Sequence, residues 1–325
     1  MLKRIGTLLA VVVVCTWAAG AGANVVIDTV AVGNPGNPND THGDGYGAVD
    51  YTYNIGTYEV TASQYTAFLN AVAATDTYGL YDTAMSSGTY ACMIVRSGSA
   101  GSYTYAVADD WANRPVNYVS WGDAVRFTNW LHNGQPTGAQ GLGTTEDGSY
   151  FLNGAMSHSE LQAITREADA TWVIPSEDEW YKAAYHMNDG VTGNYFDYPT
   201  NSDTAPSNGL IDPDPGNNAN FSYTIGSPYY RTEVGEFENS SSPYGTFDQG
   251  GNVWEWNEAI LSDGSYRGTR GGWYGGLDGH LGASYRYYGS PTIGKNTTGF
   301  RVCEVPEPGT LALLVLGIVG VIRRR

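Results

Sequence analysis

Apolar residues recur with a helical period in three short segments of the chain, and each segment follows the same polar pattern. A Ser or Thr stands three residues before an acidic or amide residue, which is the arrangement of a helix capping box. The three pairs are Thr61 with Gln64, Ser120 with Asp123, and Ser176 with Glu179. Apolar residues three or four positions apart follow each pair and would form one buried face. The pattern predicts three short helices that begin at these pairs.

Alternating apolar and polar positions predict strands in other parts of the chain. The strand-like segments are residues 24–32, 51–60, 253–260, 266–274, 284–288 and 299–305. Residues 33–49 and 186–247 are rich in Gly, Asn, Asp, Pro and Ser and are predicted loops. The second is unusually long for a compact domain, so a metal ion or buried aromatic side chains should hold it. We expect one α+β domain with little regular secondary structure.

The first 23 residues have the order of a secretory signal peptide. Lys3 and Arg4 precede an apolar run over residues 5–17, and small residues continue to Ala23. This order of a positive charge, an apolar run and a small-residue cleavage site predicts that the protein is exported. The mature protein is expected to begin at Asn24.

Residues 304–325 form a second terminal segment. Val305-Pro-Glu-Pro308 precedes a short apolar stretch at 310–322 and three terminal arginines. A membrane-spanning helix needs roughly 20 apolar residues, so this stretch predicts only a transient anchor in the inner membrane, with the arginines on the cytoplasmic side. An ordinary single-pass tail is one interpretation. The segment also resembles the PEP-CTERM sorting signal, which implies cutting by an exosortase-type peptidase and a final location at the cell surface or outside the cell.

The net charge of the protein limits the classes of molecule that it can bind. The chain has 16 Lys and Arg against 33 Asp and Glu, a formal net charge of −17. Five of the basic residues lie in the two terminal segments, so the body between them is still more acidic. Such a body repels the phosphates of nucleic acids, which we exclude as partners, and it suits cations such as calcium.

Cysteine and histidine give few signals of chemistry. Cys92 and Cys303 are the cysteines of the body. An oxidising compartment permits a disulfide between them, and two buried thiols are the alternative. The five histidines show no metal-ligand spacing and are expected to be structural.

Six motifs along the body together point to one family. They are YEVTASQYTAFLN (58–70), RPVNYVSWGDAVRFTNWL (114–131), IPSEDEWYKAAY (174–185), FDQGGNVWEW (247–256), RGTRGGWY (267–274) and GFRV (299–302). In this order they resemble the motifs of the formylglycine-generating enzyme family, whose domain is also called a sulfatase-modifying factor. The resemblance covers residues 24–303 and implies a compact fold related to C-type lectins.

The motif DQGGNVWE contains the oxygen donors that calcium prefers. Asp248 and Glu255 offer carboxylates, and the glycine-rich turn between them can expose main-chain carbonyls. The family resemblance implies a calcium ion held by Asp248, the carbonyls of Gly251 and Val253, and Glu255. The alternative is a hydrogen-bonded turn without a metal.

The resemblance also implies a second calcium site. It would begin at Asn220 and the carbonyl of Phe221, but its later carboxylate falls near Ser227, which has no carboxylate to offer. Arg270 and Arg301 lie among glycines and aromatic residues, where a guanidinium can bond the carbonyls of irregular coil.

The family's catalytic cysteines are missing. Catalytic members have a cysteine on each side of a Tyr-Arg-Tyr segment shortly before the final GFR motif. A pair of soft thiolates there binds copper(I), which activates oxygen. Ser284 and Gly289 occupy the two positions in this chain. We therefore expect no copper and no oxidation of a sulfatase cysteine to formylglycine.

Two functions remain open. The first is an exported, surface-sorted binding or structural module that is stabilised by calcium and takes a peptide or an extracellular polymer. Its groove would be formed by Tyr285, Arg286, Tyr287 and Trp254. The second is an oxidoreductase of the same superfamily with altered, cysteine-independent metal chemistry.

Overall fold

Short helices and strands are joined by long irregular segments. The computed structural model describes residues 24–41, 45–261 and 264–306. The helices are α1 (Ala62–Val72), α2 (Asp109–Ala112), α3 (Trp121–His132), α4 (His158–Ala163) and α5 (Glu177–Tyr185). The strands are β1 (Thr29–Val32), β2 (Tyr53–Gly56), β3 (Ile94–Ser97), β4 (Thr104–Val107), β5 (Trp172–Val173), β6 (Trp254–Ile260), β7 (Arg267–Arg270), β8 (Tyr287–Gly289), β9 (Thr298–Gly299) and β10 (Cys303–Glu304).

The strands form three small sheets. One has the order β1-β2-β10-β5, a second pairs β3 with β4, and the third has the order β8-β7-β6-β9. The last strand of the body, β10, therefore lies between β2 and β5, which are far apart in sequence. This mixed content in one domain confirms the α+β prediction, while the relation to C-type lectins stays a prediction.

The predicted capping boxes are present at α1, α3 and α5. At α3, for example, the amide of Asp123 donates to Ser120 Oγ over 3.1 Å, and the amide of Ser120 donates to Asp123 Oδ2 over 2.9 Å. Ser157 and Glu160 form a further box at α4. The sequence patterns did not predict α2, α4, β3 and β4, because elements of four to six residues are too short to show a period.

The long segment 186–247 is held by buried polar groups as well as by aromatic rings. Asp214, 3% exposed, accepts hydrogen bonds from Ser240 Oγ at 2.7 Å and from Asn218 Nδ2 at 2.6 Å. The hydroxyl of Tyr244 lies 2.8 Å from His186 Nδ1. Such side-chain hydrogen bonds hold an irregular segment that has few backbone hydrogen bonds of its own.

Both body cysteines are free, buried thiols, so the disulfide alternative is excluded. The predicted signal peptide and the apolar stretch of the tail lie outside the described residues. None of the helices among the described residues has the length and apolar character of a membrane-spanning helix.

Candidate functional site

The segment that carries catalysis in the resembled family forms an edge of the third sheet. β8 pairs with β7 in antiparallel register, with Gly289 opposite Arg267 and Tyr287 opposite Thr269. β7 pairs in turn with β6, whose first residue is Trp254. The sheet therefore places the expected catalytic segment beside the predicted calcium motif.

Gly289 lies where no larger side chain fits. A Cβ atom built on it would come within 2.6 Å of the ring of Trp256, closer than any non-bonded carbon contact. That ring is 1% exposed, and its Nε1 donates to the carbonyl of Val119 over 3.0 Å, so it is fixed from the other side as well. A side chain at position 289 would therefore overlap the packed indole of Trp256.

The other cysteine position and the two remaining thiols do not restore a thiolate pair. Ser284 is exposed and precedes β8. Cys92 lies near the carbonyls of Met85 and Asn117, and Cys303 lies in β10. Burial raises the pKa of both thiols, and for Cys303 the raise is large. Burial therefore disfavours the thiolate, the form that binds metals, at both positions.

Stacked rings cover this edge of the sheet. The indole of Trp254 lies between Tyr285, at 5.7 Å between ring centroids, and Tyr287, at 5.3 Å. Tyr287 stacks on Tyr288 at 5.4 Å, and Tyr288 contacts Tyr266 at 4.9 Å. Trp254 is only 4% exposed, whereas Tyr287 and Tyr288 are 38% and 47% exposed. We call these five rings the aromatic platform.

Arg286 does not belong to the platform, because its guanidinium is held in an ion pair on α5. Its guanidinium turns inward and pairs with Glu177, the first residue of α5, with Nε 2.6 Å from Oε1. Arg270 donates to the same carboxylate over 2.8 Å and to the carbonyl of Tyr285 over 2.9 Å. The two arginines thus anchor the tyrosine segment to α5 and carry a structural role.

The predicted calcium turn has the backbone of a tight loop. Asp248, Gly251 and Asn252 have φ angles of 61°, 92° and 52°. Asp248 Oδ2 accepts a hydrogen bond of 2.6 Å from the amide of Gly235. Burial raises the pKa of this carboxyl to about 6. An aspartate that is partly buried and has one amide donor fits a cation ligand.

Glu255 is already neutralised. Arg301 donates to Glu255 Oε2 over 2.5 Å and to Oε1 over 2.6 Å, and the indole of Trp180 donates to Oε2 over 2.6 Å. Glu255 and Arg301 are both 0% exposed. Arg301 is therefore an internal counter-ion, and a calcium ion would have to share Glu255 with it.

Glu59, which sequence reasoning missed, lies close to this turn. It is 1% exposed, and neither carboxylate oxygen has a hydrogen-bond partner. Burial raises its pKa well above the usual range, and the charge of Asp248 is the next largest cause. The motif YEV contained the residue, but a lone glutamate after a strand gave no signal of chemistry.

The predicted second calcium site is adjacent to the first. Asn220 bridges to Gly251, and its buried Oδ1 has no hydrogen-bond partner. The carbonyl of Phe221, however, accepts bonds from the hydroxyl and the amide of Thr224 at 2.9 and 3.1 Å. A metal there would displace these donors. Among the described residues no three His, Cys, Asp or Glu side chains converge on a metal position, so carbonyl oxygens would have to complete either site.

Comparison with known families bears on these motifs. The model of the sulfatase-modifying factor enzyme 1-like domain matches residues 47–305, which is most of the chain. The chain belongs to the sulfatase-modifying factor family. A PEP-CTERM protein-sorting motif matches residues 304–325. This sulfatase-modifying factor protein therefore carries a signal that exosortase-type machinery recognises, which supports export and sorting to the surface.

Solved structures show the same fold. Treponema denticola variable protein 1 is 19% identical with a TM-score of 0.53, and the match covers 88% of this chain and 97% of that one. CarF is 22% identical with a TM-score of 0.51, covering 87% and 99%. No curated protein sequence matches the chain. At these identities the likeness concerns the fold alone.

Proposed function

We propose that this protein is an exported, surface-sorted binding module without formylglycine-generating activity. The observation that carries the proposal is the contact between Gly289 and the ring of Trp256, since it removes the space for the second cysteine. A hydroxyl at Ser284 and a hydrogen at Gly289 offer no soft ligand for copper(I). The fold is kept, while the position of the reaction is filled.

The aromatic platform is the surface proposed to bind. Tyr287 and Tyr288 expose ring surface, and the buried indole of Trp254 stacks against Tyr287. Tyrosine and tryptophan give large contact area at low cost in side-chain entropy, and so they dominate binding surfaces. The net charge of −17 disfavours anionic ligands. A neutral extracellular polymer or an uncharged or basic peptide fits this surface.

Calcium is proposed as a stabilising ion rather than a reagent. Asp248 would hold it with the carbonyls of Gly251 and Val253, and the hard oxygen donors suit this ion. Its chemistry there is to neutralise buried carboxyl groups and fix the turn that precedes β6. Calcium would thereby support Trp254, the base of the aromatic platform.

The loss of catalysis is tested with copper and a peptide thiol. The purified protein is incubated with copper(I), oxygen and a peptide that carries a sulfatase-type cysteine, and mass spectrometry measures conversion to formylglycine. We expect no conversion. The double variant Ser284→Cys with Gly289→Cys should also be inactive and about 1–3 kcal/mol less stable, because the new side chain at 289 overpacks against Trp256. Conversion by the unmodified protein, or stoichiometric redox metal with oxygen consumption, contradicts the proposal.

Binding is tested on an array of neutral glycans and proline-rich peptides. We expect the protein to bind one class and the double variant Tyr287→Ala with Tyr288→Ala to bind at least about tenfold more weakly, since two aromatic contacts are lost. Phe151→Ala is the matched control, because Phe151 is also about half exposed and lies outside the platform. Equal binding by the double variant, or no binding to either class, counts against the platform.

A further inference from the structure

Glu59 is a buried acid without a partner. It follows β2 by three residues, and its side chain is 1% exposed. Both of its oxygens lack a hydrogen-bond donor. An ionised carboxylate in such surroundings is costly, so folded proteins pair it, protonate it or give it a metal ion. A proton or a cation must therefore neutralise Glu59.

The nearby arginine cannot do so. A guanidinium has five N–H groups, and those of Arg301 are all used. Two of them bond Glu255, at 2.5 and 2.6 Å. The others donate to the carbonyls of Gly56, Thr57 and Phe247, at 2.9, 3.3 and 2.9 Å. Arg301 thus balances one glutamate and has no donor left for a second.

Asp248 lies beside the same segment. The amide of Phe247 donates to the carbonyl of Thr57 over 2.8 Å, and the ring of Tyr58 stacks on that of Phe247 at 5.6 Å between centroids. The chain around residue 59 therefore runs next to the start of the calcium turn. Asp248 has a single amide donor, from Gly235, and lacks a cationic partner at hydrogen-bond distance among the described residues.

A small cavity borders Glu59. Its volume is about 30 Å³, and Asp28, Thr61 and Gln64 also contribute to its wall. A single water molecule needs roughly 10–15 Å³ measured in this way. The cavity has room for one water beside residue 59, and Asp248 is not part of its wall.

We propose that Glu59 is the second carboxylate ligand of the cation site to which Asp248 contributes. The family resemblance assigns this role to Glu255. The inference rests on the proposed calcium ion. Two acids, Glu59 and Asp248, would balance its double charge, while Glu255 keeps its pairing with Arg301. Carboxylate and carbonyl oxygens in an irregular loop suit calcium better than magnesium, which demands strict octahedral geometry.

The test compares three variants of the purified protein after treatment with a chelator. Calcium chloride is titrated by calorimetry, and melting is followed in calcium and in chelator. Glu59→Gln should bind calcium at least about tenfold more weakly than the unchanged protein and lose the rise in melting temperature. In chelator it should melt no lower, because neither carboxylate oxygen of Glu59 has a hydrogen bond to lose. Glu59→Met is similar in length and has no polar atoms, so it should show the same loss of calcium binding. It replaces the glutamine variant if that variant folds poorly.

Glu236→Gln is the matched control, since Glu236 is exposed and its charge also acts on Asp248. It should keep the calcium affinity of the unchanged protein within about threefold, because exposed charges are screened. If the unchanged protein binds calcium and both Glu59 variants bind it equally well, the role of Glu59 is overturned and the calcium site stands. If the unchanged protein neither binds calcium nor melts higher in it, both are overturned, and a proton neutralises Glu59.

Discussion

At the scale of single residues, some buried acids in this protein have specific partners and still carry a cost. Asp123 closes the capping box of α3, where its Oδ2 accepts from the amide and the hydroxyl of Ser120 at 2.9 and 2.6 Å. It is 8% exposed, and burial raises its pKa from 3.8 to about 6 in spite of these donors. The cap therefore fixes the start of the helix but places a partly uncompensated charge in the core.

Asp123→Asn should remove part of the pH dependence of stability. The carboxyl titrates near pH 4 in the unfolded chain and near pH 6 in the folded one, so the folded state binds more protons between these values. Its contribution to the free energy of unfolding falls as pH rises from 4 to 6 and is then constant. Relative to the unchanged protein, the variant should gain on the order of 2 kcal/mol between pH 4 and 7.

Urea unfolding at pH 4 and pH 7 measures this difference between the two proteins. Asp109→Asn, at an exposed position in α2, is the control and should show no such gain. A stability difference for Asp123→Asn that is independent of pH would mean that the acid stays ionised throughout this range.

At the scale of elements, single arginines join segments that have few backbone ladders. Arg267 in β7 is 2% exposed and donates to the carbonyls of Leu161, Gln162 and Ile164 at the end of α4, at 2.9, 3.2 and 2.6 Å. Its guanidinium also lies 3.8 Å from the ring centroid of Trp121. The carbonyls at the C-terminal end of this short helix have no partner within the helix. They accept hydrogen bonds from a strand about 100 residues later in the chain.

Arg267→Lys should destabilise the protein by about 3 kcal/mol, because one ammonium cannot reproduce the planar fork or the stacking. Arg96→Lys is the comparison, since Arg96 is partly exposed, also lies over tyrosine rings and has one ion pair, with Asp76 at 3.3 Å, where Arg267 has its fork on helix carbonyls. That change should cost less than about 1 kcal/mol. Denaturant unfolding measures both, and similar losses for the two variants would show that charge alone matters at Arg267.

Local patterns predicted the elements that depend on neighbouring residues. The capping boxes predicted α1, α3 and α5, because the donor and acceptor of a cap are three residues apart. The contact between Gly289 and Trp256 and the isolation of Glu59 could not be predicted, since each depends on segments that are distant in sequence. The sequence showed a glycine at position 289 but not the indole that leaves no room for a side chain there.

At the scale of the whole molecule, the end of the body closes the fold. β10 pairs Cys303 with Ile55 in β2 and with Val173 in β5, so it joins the N-terminal strands to the middle of the chain. The amide of Val305 also donates to the carbonyl of Thr171 over 2.8 Å. The folded body and the sorting motif, which begins at residue 304, therefore overlap by a few residues.

The last residue of a truncated protein should therefore determine whether the truncation affects only sorting or also folding. A protein that ends at Pro306 keeps β10 and the bond from Val305, and it should melt within about 2 °C of the full chain, since the pairing of β10 is intact. A protein that ends at Val302 leaves the facing edges of β2 and β5 unpaired and removes the buried side chain of Cys303, so it should fail to fold cooperatively. Circular dichroism melting separates the two. The protein that ends at Pro306, expressed with its N-terminal segment, should then be exported and released from the cells, because it is folded and lacks most of the sorting motif. Retention of this folded protein on the cells would show that the body, rather than the tail, attaches it.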